Sequence, residues 1–158
     1  MLDEHLARAD ALLVKTYTTV DAELLDRAPK VRVVGRAGVG LDNVDLDECR
    51  ARSIRVVYTP DANSQAVTEL VVAFMCDALR PRVFLDSPID TPTWLATRRE
   101  LIADRQIGDL TMGIIGLGRV GSRVARAAAG LGMRVVHHDL LTIASEHSTQ
   151  VPREELLA

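Results

Sequence analysis

The feature that most constrains the fold is a strand–turn–helix–strand pattern in the last third of the chain. The stretch MGIIGLGRVGSRVARAAAGLGMRVVHHD occupies residues 112–139 of 158. A β-branched run before Gly116 predicts a strand, and the alanine-rich run after Gly121 predicts a helix. A second β-branched run leads to Asp139, so the two strands are expected to lie parallel with the helix as their crossover.

The three glycines of this turn match the spacing of a dinucleotide-binding turn. Gly116 allows the tight turn, Gly118 lets a pyrophosphate approach the backbone, and Gly121 lets the helix pack on the strand. The first amides of the helix, those of Arg119 and Val120, are expected to point at that anion. Glycine spacing alone is a weak signal, and a strand–helix turn without a ligand is the alternative. The flanking strand and helix favour the dinucleotide.

Asp139 indicates which dinucleotide is expected. It ends the second strand, about 20 residues after the glycines, where a carboxylate accepts hydrogen bonds from the adenosine ribose. Leu140 follows, and no arginine adjoins Asp139 to receive a 2′-phosphate, so the sequence predicts NAD over NADP. His137 and His138 are interpreted as a strand residue and a pocket wall, without a catalytic role.

The preceding residues alternate between short β-branched runs and helical patterns, which predicts an α/β fold with parallel sheets. A helix over 64–80, with Ser64 as its N-cap and Pro81 as its stop, is apolar nearly all round and is expected to be buried between layers. The other predicted strands cover 11–14, 31–35, 54–58 and 111–116, and the other predicted helices lie within 20–29, 43–53 and 93–104.

A second glycine turn, GRAGVGLDNVD at 35–45, also follows a predicted strand. Gly38 and Gly40 free a run of backbone amides that can bind an anion, and Arg36 adds a positive charge. Asn43 stands where the dinucleotide pattern has its third glycine, so this turn is a different motif. A turn required only by chain geometry is the alternative.

Three blocks, GRAGVGLDNVDL, VVYTPDANSQAVTELVVAFM and GIIGLGRVGSRVA, resemble the D-isomer-specific 2-hydroxyacid dehydrogenase family, most similar to its D-3-phosphoglycerate dehydrogenases. The blocks occur in family order over nearly the whole chain. The resemblance implies an incomplete, flavodoxin-like substrate domain over 1–61. It also implies the first part of a Rossmann NAD-binding domain over 62–158, with a hinge near 60–63.

The resemblance also implies roles for individual residues. The backbone of Val39 and Gly40 would hold the substrate carboxylate, and Val39 would also touch the nicotinamide. Arg36 and Lys15 are the other residues expected to bind the substrate. Lys15 stands where the phosphoglycerate enzymes commonly carry an arginine, and this difference weakens the expectation of a phosphorylated substrate. The expected cofactor set is Val39, Gly116, Gly118, Arg119, Val120, Gly121 and Asp139.

The activity implied is NAD-dependent oxidation of a D-2-hydroxy acid, 3-phosphoglycerate or a relative of it, as in serine biosynthesis. The family's catalytic arginine, glutamate and histidine lie downstream of this chain, and neither His5 nor His147 takes their place. We therefore assign no catalytic residue and expect a fragment, truncated at both ends and inactive alone. The alternatives are an NAD-binding regulatory module of the co-repressor type and a flavin or S-adenosylmethionine protein; the block at 35–45 argues against the second.

The composition excludes several classes of partner and indicates where the protein is located. The net charge is −3, and residues of both signs are mixed along the chain, which argues against a nucleic-acid partner. The longest apolar run, 70–76, is too short to span a bilayer. Cys49 and Cys76 have neither metal-ligand spacing nor a disulfide framework, so no metal is expected. The N-terminus lacks a signal-peptide core, which predicts a cytoplasmic protein. The full-length family implies a homodimer, and the apolar helix predicts self-association of this chain.

Overall fold

The computed structural model describes residues 2–80, 82–102 and 105–158. The chain divides into two compact units, Met1–Asn63 and Ser64–Ala158. Each unit contains its own three-stranded parallel sheet and its own apolar core. The α/β class and the parallel sheets that the sequence predicts are therefore confirmed.

The first unit is a parallel sheet whose strands follow one another in chain order, β1–β2–β3. The register aligns the last residues of the three strands, so their carboxyl ends meet at one edge of the sheet. The elements are α1 (Leu2–Leu6), β1 (Ala11–Val14), α2 (Ala22–Asp26), β2 (Val33–Arg36), α3 (Leu46–Ala51) and β3 (Arg55–Tyr58).

Aspartate caps fix the starts of α2 and α3. The Asp21 carboxylate accepts the N–H of Leu24 at 2.9 Å, and that of Asp45 accepts the N–H of Glu48 at 2.9 Å. Each such cap stabilises its helix by about 1 kcal/mol. Cys49, on the inner side of α3, is buried; burial, and then the charge of Asp45, raises the pKa of its thiol, which stays protonated.

The second unit contains a parallel sheet of order β4–β5–β6 with α6 as the crossover between the first two strands. Its elements are α4 (Ser64–Leu79), α5 (Thr91–Leu101), a 3-10 turn (Ile107–Asp109), β4 (Thr111–Ile115), α6 (Arg119–Gly130), β5 (Arg134–His138), β6 (Thr149–Gln150) and α7 (Arg153–Leu156). The strand β6 was not predicted, because two residues are too few to show an alternating pattern.

The helix predicted to be buried between layers, α4, has one buried face and one exposed face. Ser64 and Thr68 are buried, and Val71 packs with them toward α6. On the opposite face Leu70 is 51% and Phe74 is 63% exposed, because no element of the described chain packs there. Ser64 is the first helical residue instead of the cap, and its carbonyl accepts the Thr68 hydroxyl at 2.8 Å.

The helix predicted over 93–104 begins earlier, at Thr91. The Asp90 carboxylate caps it by accepting the N–H of Thr93 at 2.9 Å, and a proline lies in its first turn. Residues 103–104 at the predicted end lie outside the described residues, as does Pro81, the predicted stop of α4. Over the described chain, no helix combines the length and hydrophobicity that crossing a membrane requires.

Candidate functional site

Two glycines of the turn between β4 and α6 are required by the fold. Gly116 has a φ of +90°, a conformation that side-chain-bearing residues rarely adopt, and its N–H donates to the His138 carbonyl at 2.8 Å. A Cβ on Gly121 would overlap the carbonyl oxygen of Gly116. The helix can therefore approach the strand only with glycine at this position.

Gly118 is different, because nothing in the described protein requires a glycine there. Its φ is −75°, and apart from its own two chain neighbours no described residue has an atom within 4 Å of the position that a Cβ would take. It is the N-cap of α6, where the amides of Arg119 and Val120 have no acceptor within the helix. The turn thus leaves an open space beside unpaired donors and the positive end of a helix, which suits an anion.

Asp139 holds the glycine turn as well as ending β5. Its Oδ2 accepts the N–H of Leu117 at 2.7 Å, and its Oδ1 accepts the N–H of Leu141 at 3.1 Å. This bridging role was not predicted from the residue pattern. A carboxylate oxygen has a second lone pair, so both oxygens can still accept a ribose hydroxyl.

The same two amides set the ionisation of Asp139. The N–H of Leu141, and next that of Leu117, lower the pKa of the Asp139 carboxyl below its usual range. Both hydrogen bonds favour the charged form. The carboxylate is therefore ionised at neutral pH and places a negative charge beside the glycine turn.

Gln150, on β6, secures the loop after Asp139. Its Oε1 accepts the N–H of Ile143 at 3.0 Å, and its Nε2 donates to the carbonyls of Leu141 at 2.9 Å and Asp139 at 3.5 Å. Sequence reasoning missed this residue, because the contacts depend on the pairing of β6 with β5. A glutamine after a single β-branched residue, Thr149, gives no local signal of such a role.

The two histidines of β5 have different surroundings. His137 is fully buried; its Nδ1 lies 2.9 Å from the Ser148 hydroxyl, and its Nε2 has no hydrogen-bond partner among the described residues. His138 is half-buried, with its Nδ1 3.3 Å from the Val151 carbonyl. His137 is thus enclosed in the core, and His138 forms part of a pocket wall.

A pocket of about 460 Å³ opens where β4 and β5 end. Its walls combine apolar side chains with one acidic and one basic residue. Ligands of parallel α/β sheets bind at this edge, outside the carboxyl ends of the strands. The lining residues are Ile115, Gly116, His138, Asp139, Leu140 and Arg153. Arg153 comes from α7 and was not among the predicted site residues.

The glycine turn of the first unit is built around Arg36. A Cβ on Gly38 would overlap the Arg36 guanidinium, which therefore lies directly over the turn. The Nε of Arg36 is buried without a hydrogen-bond partner in the described chain, and its Nη1 reaches only the Ala37 carbonyl at 3.4 Å. A buried unpaired donor is destabilising.

Asn43 explains why this second turn lacks a third glycine. Its Nδ2 donates to the carbonyls of Lys15 at 2.8 Å and Thr18 at 2.6 Å, which ties the turn to the loop after β1. The structure thereby brings the backbone of Lys15 beside the turn, with the Lys15 side chain exposed. Val39 and Gly40 are half-buried within the turn.

The two turns lie in different units, and each is a separate anion-ready site. Neither offers a metal centre, since no group of three His, Cys, Asp or Glu residues within 2–80, 82–102 and 105–158 could hold a metal ion. What the geometry provides is backbone amides, a helix N-terminus and a few charged side chains, a set suited to phosphate and carboxylate groups.

Parallel sheets in which a glycine turn opens a helix at the end of a strand define a Rossmann-like α/β protein. The chain belongs to the family of D-isomer specific 2-hydroxyacid dehydrogenases: the model of that family's catalytic domain matches residues 1–154. The resemblance stated from the sequence is therefore confirmed.

Individual relatives agree with this membership. The D-3-phosphoglycerate dehydrogenase of Mycobacterium tuberculosis (strain ATCC 25618 / H37Rv) is 44% identical over 131 residues, which are 83% of this chain and 24% of the relative. The (S)-sulfolactate dehydrogenase of Chromohalobacter salexigens is 39% identical over 152 residues, 94% of this chain and 47% of the relative. The chain thus spans a quarter to a half of the relatives it matches.

A solved structure supports the fold. The D-lactate dehydrogenase of Aquifex aeolicus, complexed with NAD and lactic acid, superposes with a TM-score of 0.72 at 27% identity. The match covers 98% of this chain and 47% of that one.

The bridging role of Asp139 predicts a pH-dependent contribution to stability. Because its folded-state pKa lies below the value of about 3.9 in an unfolded chain, its stabilisation is full above that value and is lost as the pH falls through the folded pKa. The Asp139→Asn variant should unfold at a lower temperature than the unmodified protein at about pH 6, with the difference shrinking below about pH 4.

Thermal unfolding followed by circular dichroism across this pH range measures the effect. Asp86→Asn, which changes an exposed aspartate of the same unit, serves as the control and should leave the unfolding temperature unchanged. A difference for Asp139→Asn that is the same at every pH would contradict the bridging role.

Proposed function

We propose that the chain is the cofactor- and substrate-anchoring part of an NAD-dependent oxidoreductase that acts on the CH–OH group of a D-2-hydroxy acid. In this proposal Ser64–Ala158 belongs to the NAD-binding domain and Met1–Asn63 to the substrate domain. The observation that carries the proposal is Gly118: the protein needs no glycine there, whereas a pyrophosphate approaching the backbone does.

The residues around the first turn fit NAD. Gly116, Gly118 and Gly121 shape the turn, the amides of Arg119 and Val120 face the pyrophosphate, and the ionised Asp139 accepts from the ribose hydroxyls. NAD, when bound, supplies the carbon that accepts the hydride. The chain's own part is to bind and orient the dinucleotide. The Aquifex aeolicus D-lactate dehydrogenase, complexed with NAD, supports this assignment.

The second turn would hold the substrate carboxylate. The backbone of Val39 and Gly40 and the Arg36 guanidinium lie together at this turn, and in the proposal Val39 also touches the nicotinamide. Asn43 holds the backbone of Lys15 beside the turn, and in the proposal the exposed Lys15 side chain adds a second cation there. Phosphoglycerate and sulfolactate, which give two relatives their names, each carry a second anionic group. We therefore favour a 2-hydroxy acid with two anionic groups, 3-phosphoglycerate among them.

Replacing Gly118 by alanine tests the cofactor site directly. The added methyl group has space in the free protein, so the unfolding temperature should stay within about 1 °C, while it blocks the approach of the pyrophosphate. We expect NAD affinity to fall by about tenfold or more, measured by isothermal titration calorimetry.

Two further alanine substitutions complete this experiment. Gly130→Ala, at the far end of α6, adds a methyl group in open space and should leave NAD affinity unchanged. Gly121→Ala should lower stability by about 1–3 kcal/mol, because its Cβ meets backbone. Equal NAD affinity in Gly118→Ala and the unmodified protein would refute the assignment of this turn.

Turnover by this chain alone is expected to be absent. Transfer of the hydroxyl proton needs an acid–base group within hydrogen-bond reach of the substrate, and none of the four histidines takes that role in the proposal. His137 is fully buried and His138 lies against the Val151 carbonyl. NADH oxidation with 3-phosphohydroxypyruvate, hydroxypyruvate or 2-oxoglutarate measures the activity. Turnover that survives substitution of all four histidines would show that the acid–base group lies elsewhere in this chain.

Self-association is the expected behaviour of the chain in solution. Val67, Leu70 and Phe74 form an apolar stripe along the exposed face of α4, and burying it between copies would remove it from water. Sedimentation velocity should show association that weakens in a Leu70→Lys, Phe74→Glu variant. A single monomer boundary at all concentrations would contradict this.

The cytoplasmic location, the full-length homodimer and the lack of a nucleic-acid partner stay predictions.

A further inference from the structure

Two opposite charges line the pocket at the ends of β4 and β5. Asp139 supplies the negative charge from the end of β5, and Arg153 supplies the positive charge from the first residue of α7. The two residues are far apart in sequence, and the sequence analysis recognised only the first. It predicted a site without an arginine near the adenosine ribose.

Backbone pairing brings Arg153 to this edge of the sheet. The strand β6 lies parallel to β5, with His137 opposite Gln150, and the N–H of Val151 continues the pairing by donating to the His137 carbonyl at 2.9 Å. The chain therefore runs alongside the end of β5 and enters α7 at the pocket. These main-chain hydrogen bonds position the backbone from which the Arg153 side chain extends.

Arg153 shares the pocket with Asp139, but no ion pair of the described chain includes it. The two Asp139 oxygens already accept the amides of Leu117 and Leu141 at 2.7 and 3.1 Å. An exposed guanidinium without a carboxylate partner can receive a phosphate through two parallel hydrogen bonds.

We propose that Arg153 receives the 2′-phosphate of a 2′-phosphorylated adenine dinucleotide, so that the pocket accepts NADP in addition to NAD. This inference rests on the proposed NAD site. Asp139 repels the phosphate and Arg153 attracts it, and the balance of the two charges sets how strongly NAD is preferred. The preference is then smaller than the acidic residue alone would impose.

Titration of the same variants with NAD and NADP tests the proposal. In Arg153→Gln the affinity for NADP should fall by about tenfold or more, because a hydrogen-bonded ion pair is lost, while the affinity for NAD stays within about twofold. Arg153→Lys should retain part of the NADP affinity, since it keeps the charge but not the planar fork. Arg126→Gln, an exposed arginine on α6, removes the same net charge away from the pocket and should change neither affinity.

Adenosine 2′-monophosphate separates this inference from the proposed function, because it carries the 2′-phosphate but no pyrophosphate. Its binding should also weaken by about tenfold in Arg153→Gln and be unaffected by Gly118→Ala. If NADP and adenosine 2′-monophosphate bind Arg153→Gln as tightly as the unmodified protein, or bind neither protein, the role of Arg153 is refuted. If adenosine 2′-monophosphate binding depends on Arg153 but NAD does not bind, the proposed function fails and Arg153 remains a phosphate-binding residue.

Discussion

The close approach of α6 to β4 at Gly121 is the constraint on which the second unit depends. Because a Cβ at this position would overlap the Gly116 carbonyl oxygen, only glycine lets the helix begin directly above the strand end. That approach aims the helix N-terminus, with its unpaired amides, at the carboxyl edge of the sheet. It also leaves Gly118 as the one glycine of the turn that the packing of the described residues does not require.

Around this turn the protein uses polar side chains to hold backbone in place. Asp139 ties the turn to the end of β5, and Gln150 holds the loop that follows. Asn43 does the same for the anion-ready turn of the first unit by joining it to the loop after β1. In both units, then, a hydrogen-bonding side chain outside the glycine motif fixes the geometry with which the motif can meet an anion.

Local pattern was sufficient for much of the architecture. Strands β1 to β5 and helices α2, α3 and α6 follow from β-branched runs, aspartate caps and glycine turns, which are properties of neighbouring residues. Burial was harder to predict: the hydrophobicity of α4 predicted a helix buried between layers, and within this chain one of its faces packs, against α6. A hydrophobic side chain is more stable when buried, but whether it is buried depends on which elements pack against it.

Residue types at fixed spacing were enough to predict the family, the two parallel sheets and the dinucleotide-type glycine turn. Three findings required the folded chain: Gly118 is free of steric demand, Asp139 bridges two loops, and Arg153 shares a pocket with Asp139. These facts depend on distances between residues remote in the chain. Such distances follow from the pairing of β6 with β5 and the packing of α6 on β4, which local sequence does not encode.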